Sequence, residues 1–247
     1  MQPTVSVHLL PSLVDPAELA ERTVVVIDVL RATTTITTAL AAGAAGIIPC
    51  LEVEAARERA QQHPDPVLLG GERRGEKIEG FDLGNSPTEY TSAIVQSQTI
   101  LFTTTNGTRA LDRCQQAARV LIAGFVNLSA VARQLKLTAP IHLLCAGTDG
   151  KISVEDSLLA GALVDRLIQQ ATEPISINDQ ADIAQAAWRQ ASQGAADTPW
   201  LSLLEQGLGG QNLARAGLAQ DIPICAAIDT CSVAPELNLK TGIITLA

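Results

Sequence analysis

One local grammar recurs along this chain: a short β-rich apolar run, a polar cluster, then a helical pattern. Thr23-Val-Val-Val-Ile-Asp28 reads as a buried strand ending in a carboxylate; Val29-Leu-Arg31-Ala-Thr33-Thr-Thr35 follows, and a helix continues from Ile36 through Ala42. Pro66-Val-Leu-Leu-Gly-Gly71 leads into the polar loop Glu72-Arg73-Arg74-Gly75-Glu76-Lys77, which runs on to Gly84-Asn85-Ser86-Pro87-Thr88-Glu89. Thr99-Ile-Leu-Phe-Thr-Thr-Thr-Asn-Gly-Thr-Arg-Ala-Leu111 breaks from apolar residues into hydroxyls, Asn106-Gly107 and Arg109. Ile141-His-Leu-Leu-Cys-Ala-Gly147 is a fourth strand, and Ser153-Val-Glu155-Asp156 opens the next helix. Such alternation predicts an α/β fold, a three-layer α/β/α sandwich on a mixed, mostly parallel sheet. Ligands of open α/β sheets bind outside the carboxyl ends of the strands. Four polar clusters at four such ends therefore predict one shared cleft.

The patterning places strands near 24–28, 45–50, 66–70, 99–104, 119–123, 140–146, 223–228 and 241–246. Helices are expected near 32–42, 53–62, 87–96, 107–117, 126–135, 154–170, 179–192 and 211–217. The last two strands are expected to pair antiparallel at an edge beside the Pro235 turn, where proline is tolerated. With 47 % hydrophobic but only 2 % aromatic residues, the core is built on Ala, Val, Leu and Ile. No fixed repeat appears, and Ala191–Pro199 is an exposed-loop candidate too short to separate domains, so residues 1–247 are read as one domain.

Several cluster residues have ordinary structural duties to perform. Ser86-Pro87-Thr88-Glu89 fits a capping box with proline at the first helical position, and Ser153-Val-Glu-Asp156 has the same form. Asn106 fits a helix cap. Arg31, Arg73 and Arg109 have no capping duty, and Asp28 follows three consecutive valines, where a carboxylate is costly unless paired or metal-bound. Backbone N–H groups, Thr hydroxyls and Arg109 meet at a predicted helix start, which suits phosphate or another small anion.

A formal net charge of −9 argues against nucleic acid or an anionic membrane as partner. Yet Arg31, Arg73, Arg74, Lys77 and Arg109 gather in the proposed loops, as a small anionic ligand requires; for Arg74 and Lys77 the competing reading is a solvated loop. The start, Met1-Gln-Pro-Thr-Val-Ser-Val-His8, lacks a basic signal-peptide region, and no apolar run reaches membrane-spanning length. Five cysteines at 50, 114, 145, 225 and 231 form no Cys-x-x-Cys pair, so a cytoplasmic protein is expected.

Known phosphate motifs fail one by one. Gly70-Gly-Glu-Arg-Arg-Gly75-Glu-Lys77 echoes a Walker A loop, but Glu76 separates Gly75 from Lys77 and no Ser/Thr follows. No Gly-x-Gly-x-x-Gly opens a helix. Asp28 lacks the second Asp two positions on that a haloacid-dehalogenase-type hydrolase needs, and Lys151 stands where a cysteine phosphatase needs Arg. His8 and His142 lie in strand patterns and His63 beside Pro64, so all three read as structural. What remains is carboxylates, arginines and hydroxyls. Asp28, Glu72, Glu155 and Asp156 are placed to hold a hard divalent cation such as Mg²⁺ and orient a water, while arginines offset substrate charge. A metal-assisted phosphohydrolase is one option; an isomerase or transferase using the same anion cradle, and a regulatory anion-binding module, are others.

Taken together, Asp28-Val-Leu-Arg-Ala-Thr-Thr-Thr35, Gly70-Gly-Glu-Arg73, Gly80-Phe-Asp-Leu-Gly-Asn-Ser-Pro-Thr-Glu-Tyr90, Thr103-Thr-Thr-Asn-Gly-Thr-Arg109 and Glu155-Asp156 resemble the 2-phosphosulfolactate phosphatase family of coenzyme M biosynthesis. Asp221-Ile-Pro-Ile-Cys-Ala-Ala-Ile-Asp229 and Val233-Ala-Pro235 match more loosely, and a basic residue expected near Gly209–Leu213 is replaced by Gly-Gln-Asn. The resemblance implies Mg²⁺-dependent hydrolysis of (2R)-2-phospho-3-sulfolactate, or of a related small phosphorylated hydroxy acid; assembly as a homo-oligomer is left open. The candidate catalytic set is Asp28, Arg31, Glu72, Arg73 and Arg109. Asn85, Ser86, Thr105, Asn106, Gly107 and Thr108 are candidates for substrate binding, and Asp28, Glu155 and Asp156 for the metal.

Overall fold

The period-2 alternation of the valine strand sets the layers. In the computed structural model, which describes residues 3–194 and 198–247, Val24 and Val26 face one core while Val25 and Ile27 face another. Among the described residues, eleven strands form one mixed sheet. They are β1 (Thr4–His8), β2 (Thr23–Ile27), β3 (Gly46–Pro49), β4 (Val67–Arg73), β5 (Glu76–Lys77), β6 (Thr99–Thr103), β7 (Arg119–Ala123), β8 (Ile141–Cys145), β9 (Ser176–Ile177), β10 (Pro235–Asn238) and β11 (Ile243–Leu246). Their order is β5-β4-β6-β3-β11-β10-β7-β2-β8-β1-β9. The pairs β4–β6, β3–β6, β2–β7, β2–β8, β1–β8 and β1–β9 are parallel.

Helices α1 (Ala32–Ala41), α2 (Val53–Gln62), α3 (Ser92–Val95), α4 (Gly107–Asp112), α5 (Leu128–Gln134), α6 (Val154–Gln170), α7 (Asp179–Ala191), α8 (Leu201–Gln206), α9 (Leu208–Arg215) and α10 (Asp221–Ala226) cover the sheet. Ile36, Leu40, Ala110 and Leu111 bring α1 and α4 onto the Val24/Val26 face. Leu159, Leu163, Ala184, Trp188 and Leu213 bring α6, α7 and α9 onto the other. This is the expected three-layer α/β/α arrangement.

Four expectations need correction. The strand expected at 223–228 is the helix α10, because Ile222, Cys225 and Ala226 are buried at helical spacing and Pro223 sits in the first turn, where its missing N–H costs nothing. The antiparallel pair β10–β11 is central, not at an edge: β10 pairs with β7 and β11 with β3. Pro235 is tolerated there as the first residue of its strand. The helix expected at 87–96 is a 3₁₀ turn, Pro87–Glu89, and then α3. The loop expected at Ala191–Pro199 falls partly outside the described residues, while Ala191 itself ends α7.

Candidate active site

The carboxyl ends of β2, β4, β6 and β8 open into one cleft of about 470 Å³, closed on its far side by α9. Asp28, Arg31, Glu72, Asn85, Thr105 and Asn106 line it, so loops separated widely in sequence do converge. The convergence has a local cause at each loop.

Beyond β2, Thr33 ties the turn down: its hydroxyl donates to the Asp28 carbonyl (2.8 Å) and accepts from the Asp28 N–H (3.1 Å). Asp28 Oδ1 accepts from the Ala32 N–H at 3.2 Å, leaving Oδ2 with no hydrogen-bond partner among the described residues. Gly107 is required here, since a Cβ on it would stand 2.9 Å from Asp28 Oδ2 and 2.6 Å from the Ala32 methyl. Its bareness lets the β6–α4 loop come down on Asp28.

Glu72 holds that same loop to its own. Its Oε1 accepts from the Thr105 N–H (2.7 Å), and Oε2 from the Gly75 N–H (2.7 Å) and the Thr105 hydroxyl (3.2 Å). Glu72 thus positions Thr105 and spends its lone pairs on protein. Thr108 donates through its hydroxyl to the Thr104 carbonyl (2.7 Å), and Thr104 Oγ1 accepts the Thr108 N–H (3.3 Å). Thr104, not Asn106, is therefore the side-chain cap of α4. The Asn106 and Gly107 N–H groups meet no acceptor among the described residues and remain orphan donors, Asn106 lining the cleft and Gly107 buried behind it.

Arg31 is already paired. Its Nη1 donates to Asp221 Oδ2 at 2.6 Å and its Nη2 to the Gly75 carbonyl at 3.1 Å, and the side chains of the ion pair are 2 % and 0 % exposed. Ser86 donates to Asp221 Oδ1 at 2.7 Å. The expected capping role of Ser86 gives way to this network, and Ser153 does not cap α6 either. Arg73 turns from the cleft toward the Glu72 and Leu51 carbonyls (2.9 and 2.7 Å) and Thr103 Oγ1 (2.8 Å). Arg109 is exposed on α4 and does not line the cleft. The convergence expected of Arg73 and Arg109 is thus absent: both lie on the right loops, but each points elsewhere.

Glu155 and Asp156 lie beneath the floor, 1 % and 2 % exposed. Asp156 clamps two strand ends, accepting the Val29 N–H (2.8 Å) and the Gly147 N–H (2.9 Å). Glu155 abuts Gly207 and Gly209 at the start of α9, and its Oε2 has no hydrogen-bond partner. Burial, then the Asp156 and Glu72 charges, push Asp28 well above the usual carboxylate range, against the opposing Ala32 hydrogen bond. Burial and Asp156 push Glu155 up to about 8. Burial pushes Asp156 up to about 6 despite its two backbone donors.

Among the described residues, no three His, Cys, Asp or Glu side chains close into a ready metal cage. The donors present are hard oxygens, with Asp28 Oδ2 and Glu155 Oε2 unpartnered. That fits Mg²⁺, which takes one or two carboxylates and completes its shell with water and substrate phosphate.

Sequence reading missed Asp221, whose partner Arg31 is 190 residues away. It also missed Thr148, Asp149, Asn212 and Arg215, which line the cleft from loops or from α9, whereas Arg74, placed in the ligand loops from sequence, does line it. Gly-Gln-Asn stands where a basic residue is expected near Gly209–Leu213, and Arg215 at the end of the same helix lines the cleft. His8 and His142 bond each other at 2.9 Å between β1 and β8, as structural residues do. No helix among the described residues is long and apolar enough to cross a membrane.

The model of the 2-phosphosulpholactate phosphatase family matches residues 8–240. A probable 2-phosphosulfolactate phosphatase of Symbiobacterium thermophilum is 45 % identical over 225 residues, covering 90 % of this chain and 94 % of that protein. Proteins of the same description from Caldanaerobacter subterraneus subsp. tengcongensis and Gloeobacter violaceus are 40 % and 42 % identical, covering 94 % and 86 % of this chain and 93 % and 86 % of their own. A cleft at the strand ends with buried carboxylates, and a match along most of the chain, agree: the protein belongs to the 2-phosphosulfolactate phosphatase family and is a phosphoric monoester hydrolase.

Proposed function

We propose that the protein hydrolyses (2R)-2-phospho-3-sulfolactate to (2R)-3-sulfolactate and phosphate with Mg²⁺, as a one-domain cytoplasmic enzyme. The observation that carries the reading is Asp28, a buried carboxylate lining the cleft whose Oδ2 has no hydrogen-bond partner among the described residues, on the same cleft as the unpaired N–H of Asn106 and next to that of Gly107. Asp28 and Glu155 would hold the cation; Asp156, with both oxygens engaged by backbone donors, supports the loops instead. When bound, Mg²⁺ supplies charge stabilisation for the phosphoryl oxygens.

The chain's own residues do the rest. Asn106 and Gly107 donate N–H groups to the phosphate, and Glu72 fixes the loop that carries them by gripping Thr105. Asn85, whose buried Oδ1 is unpartnered, lines the cleft beside them. Arg31 contributes through Asp221 and Ser86, holding the β2 turn against the loop at 84–89, where Thr35 Oγ1 also donates to the Asn85 carbonyl at 2.9 Å.

The test is phosphate release from (2R)-2-phospho-3-sulfolactate. Release that EDTA abolishes and Mg²⁺ restores is expected. Release unaffected by EDTA would remove the metal, and no release at all would remove the substrate.

A further inference from the structure

Arg31 and Arg73 are engaged by protein partners, which leaves the mouth of the cleft to two other guanidinium groups. Arg74 follows β4, lines the cleft and is exposed; none of its side-chain nitrogens meets an acceptor among the described residues. Arg215 ends α9 and lines the same mouth. It donates to Asn212 Oδ1 (2.8 Å) and Gln211 Oε1 (3.3 Å), neutral groups that orient it without cancelling its charge. The two elements meet, since a Cβ on Gly75 would lie 4.0 Å from the Cβ of Ala216.

We propose that Arg74 and Arg215 form a subsite for a second anionic group of the substrate, a sulfonate or carboxylate on a carbon next to the phosphorylated one. The inference rests on the phosphatase reading of the cleft and extends it. The floor is acidic, with Asp28 and Glu72, and Glu76 and Asp149 add negative charge along the walls. An ester carrying further anions is repelled there unless cations meet the groups that do not react. Guanidinium forks suit sulfonate and carboxylate oxygens, and binding of such remote groups is what separates a specific phosphatase from a general one.

The experiment compares three esters: 2-phospho-3-sulfolactate, 2-phospholactate (which lacks the sulfonate) and 2-phosphooxyethanesulfonate (which lacks the carboxylate). Wild-type protein is set against Arg74→Gln, Arg215→Gln and the double variant. For the double variant, at least one ratio of kcat/KM, full substrate over truncated ester, should fall by more than tenfold, mainly through KM. The ratio that falls identifies the anion. Calorimetric binding of 3-sulfolactate, which carries no phosphate, should weaken at least tenfold in parallel. Unchanged ratios with full wild-type turnover overturn the subsite and leave the phosphatase reading intact. Absence of wild-type turnover overturns that reading, and sulfolactate titration then decides the subsite: equal affinity in wild type and variant, or no binding by either, rejects it.

Discussion

Two buried charge clusters stand side by side in this protein on opposite terms. Around Arg31 every charge is answered: Asp221 takes the guanidinium, and Ser86 fills the second oxygen of Asp221. Around Asp28 the acidic groups crowd together, with Glu155 and Asp156 below, and among the described residues none of the three forms an ion pair. The first cluster resembles a finished structural joint. The second carries a cost that a folded protein keeps only for a ligand or a cation. Buried charge alone therefore does not mark an active site; charge left without a partner does.

The comparison breaks first at Asp28. Asp28→Asn keeps the shape and lowers repulsion, so turnover should fall by about a thousandfold, or roughly 4 kcal/mol of transition-state stabilisation, while thermal stability holds or rises. Phosphate-release kinetics with a Mg²⁺ titration, beside a melting curve, would check it. A variant with normal rate and normal metal response would make Asp28 one more structural carboxylate.

The closed cluster should respond in stability. Removing one partner, as in Asp221→Asn or Arg31→Met, should destabilise the protein by about 3–5 kcal/mol, since the other charge stays buried. The double change Arg31→Met with Asp221→Leu should recover much of that in urea unfolding. Equal losses in single and double variants would mean that the pair is not isolated from its neighbours.

A third effect separates the clusters by pH. The carboxyls of Asp28, Glu155 and Asp156 are raised in the folded state, so that state binds more protons than the unfolded chain between the ordinary carboxylate range and about 8. Stability of metal-free protein is thus fullest at low pH within this linkage and declines as pH rises through about 6 and about 8. Mg²⁺ should therefore raise the melting temperature more at pH 8 than at pH 5, by roughly 5 °C, or about 1–2.5 kcal/mol at this chain length. Equal shifts at both pH values would place the cation elsewhere. The smallest effect is expected at Arg109: exposed and outside the cleft, Arg109→Lys should alter kcat/KM by less than about twofold, and a tenfold loss would bring α4 into the site.

The sequence made the strand ends legible because the signal there is local. Three valines running into Asp28, and Gly70-Gly-Glu72 running into a charged loop, carry their meaning within a few residues. Pairing is different. Nothing near Arg31 announces Asp221, and nothing near Arg73 says that it bends back to the Leu51 carbonyl. The helix α10 was obscured because Ile-Pro-Ile-Cys-Ala-Ala satisfies either period, and only packing against its neighbours decides. The position of β10 and β11 escaped for the same reason, since four-residue strands hold no record of which neighbours they will join.

That hairpin has a consequence for how the sheet holds together. Among the described strands β10 and β11 come last in sequence, yet they alone bridge β3 to β7. Without the hairpin, β3 and β7 would each present a bare hydrogen-bonding edge, the kind of edge that recruits other chains. The cleft is divided along the same line: Glu72 and Thr105 arrive on one half, Asp28 and Thr148 on the other. The hairpin is thus a keystone within the sheet, joining the halves that carry the two walls of the site, while α1 and α4 span them from one face.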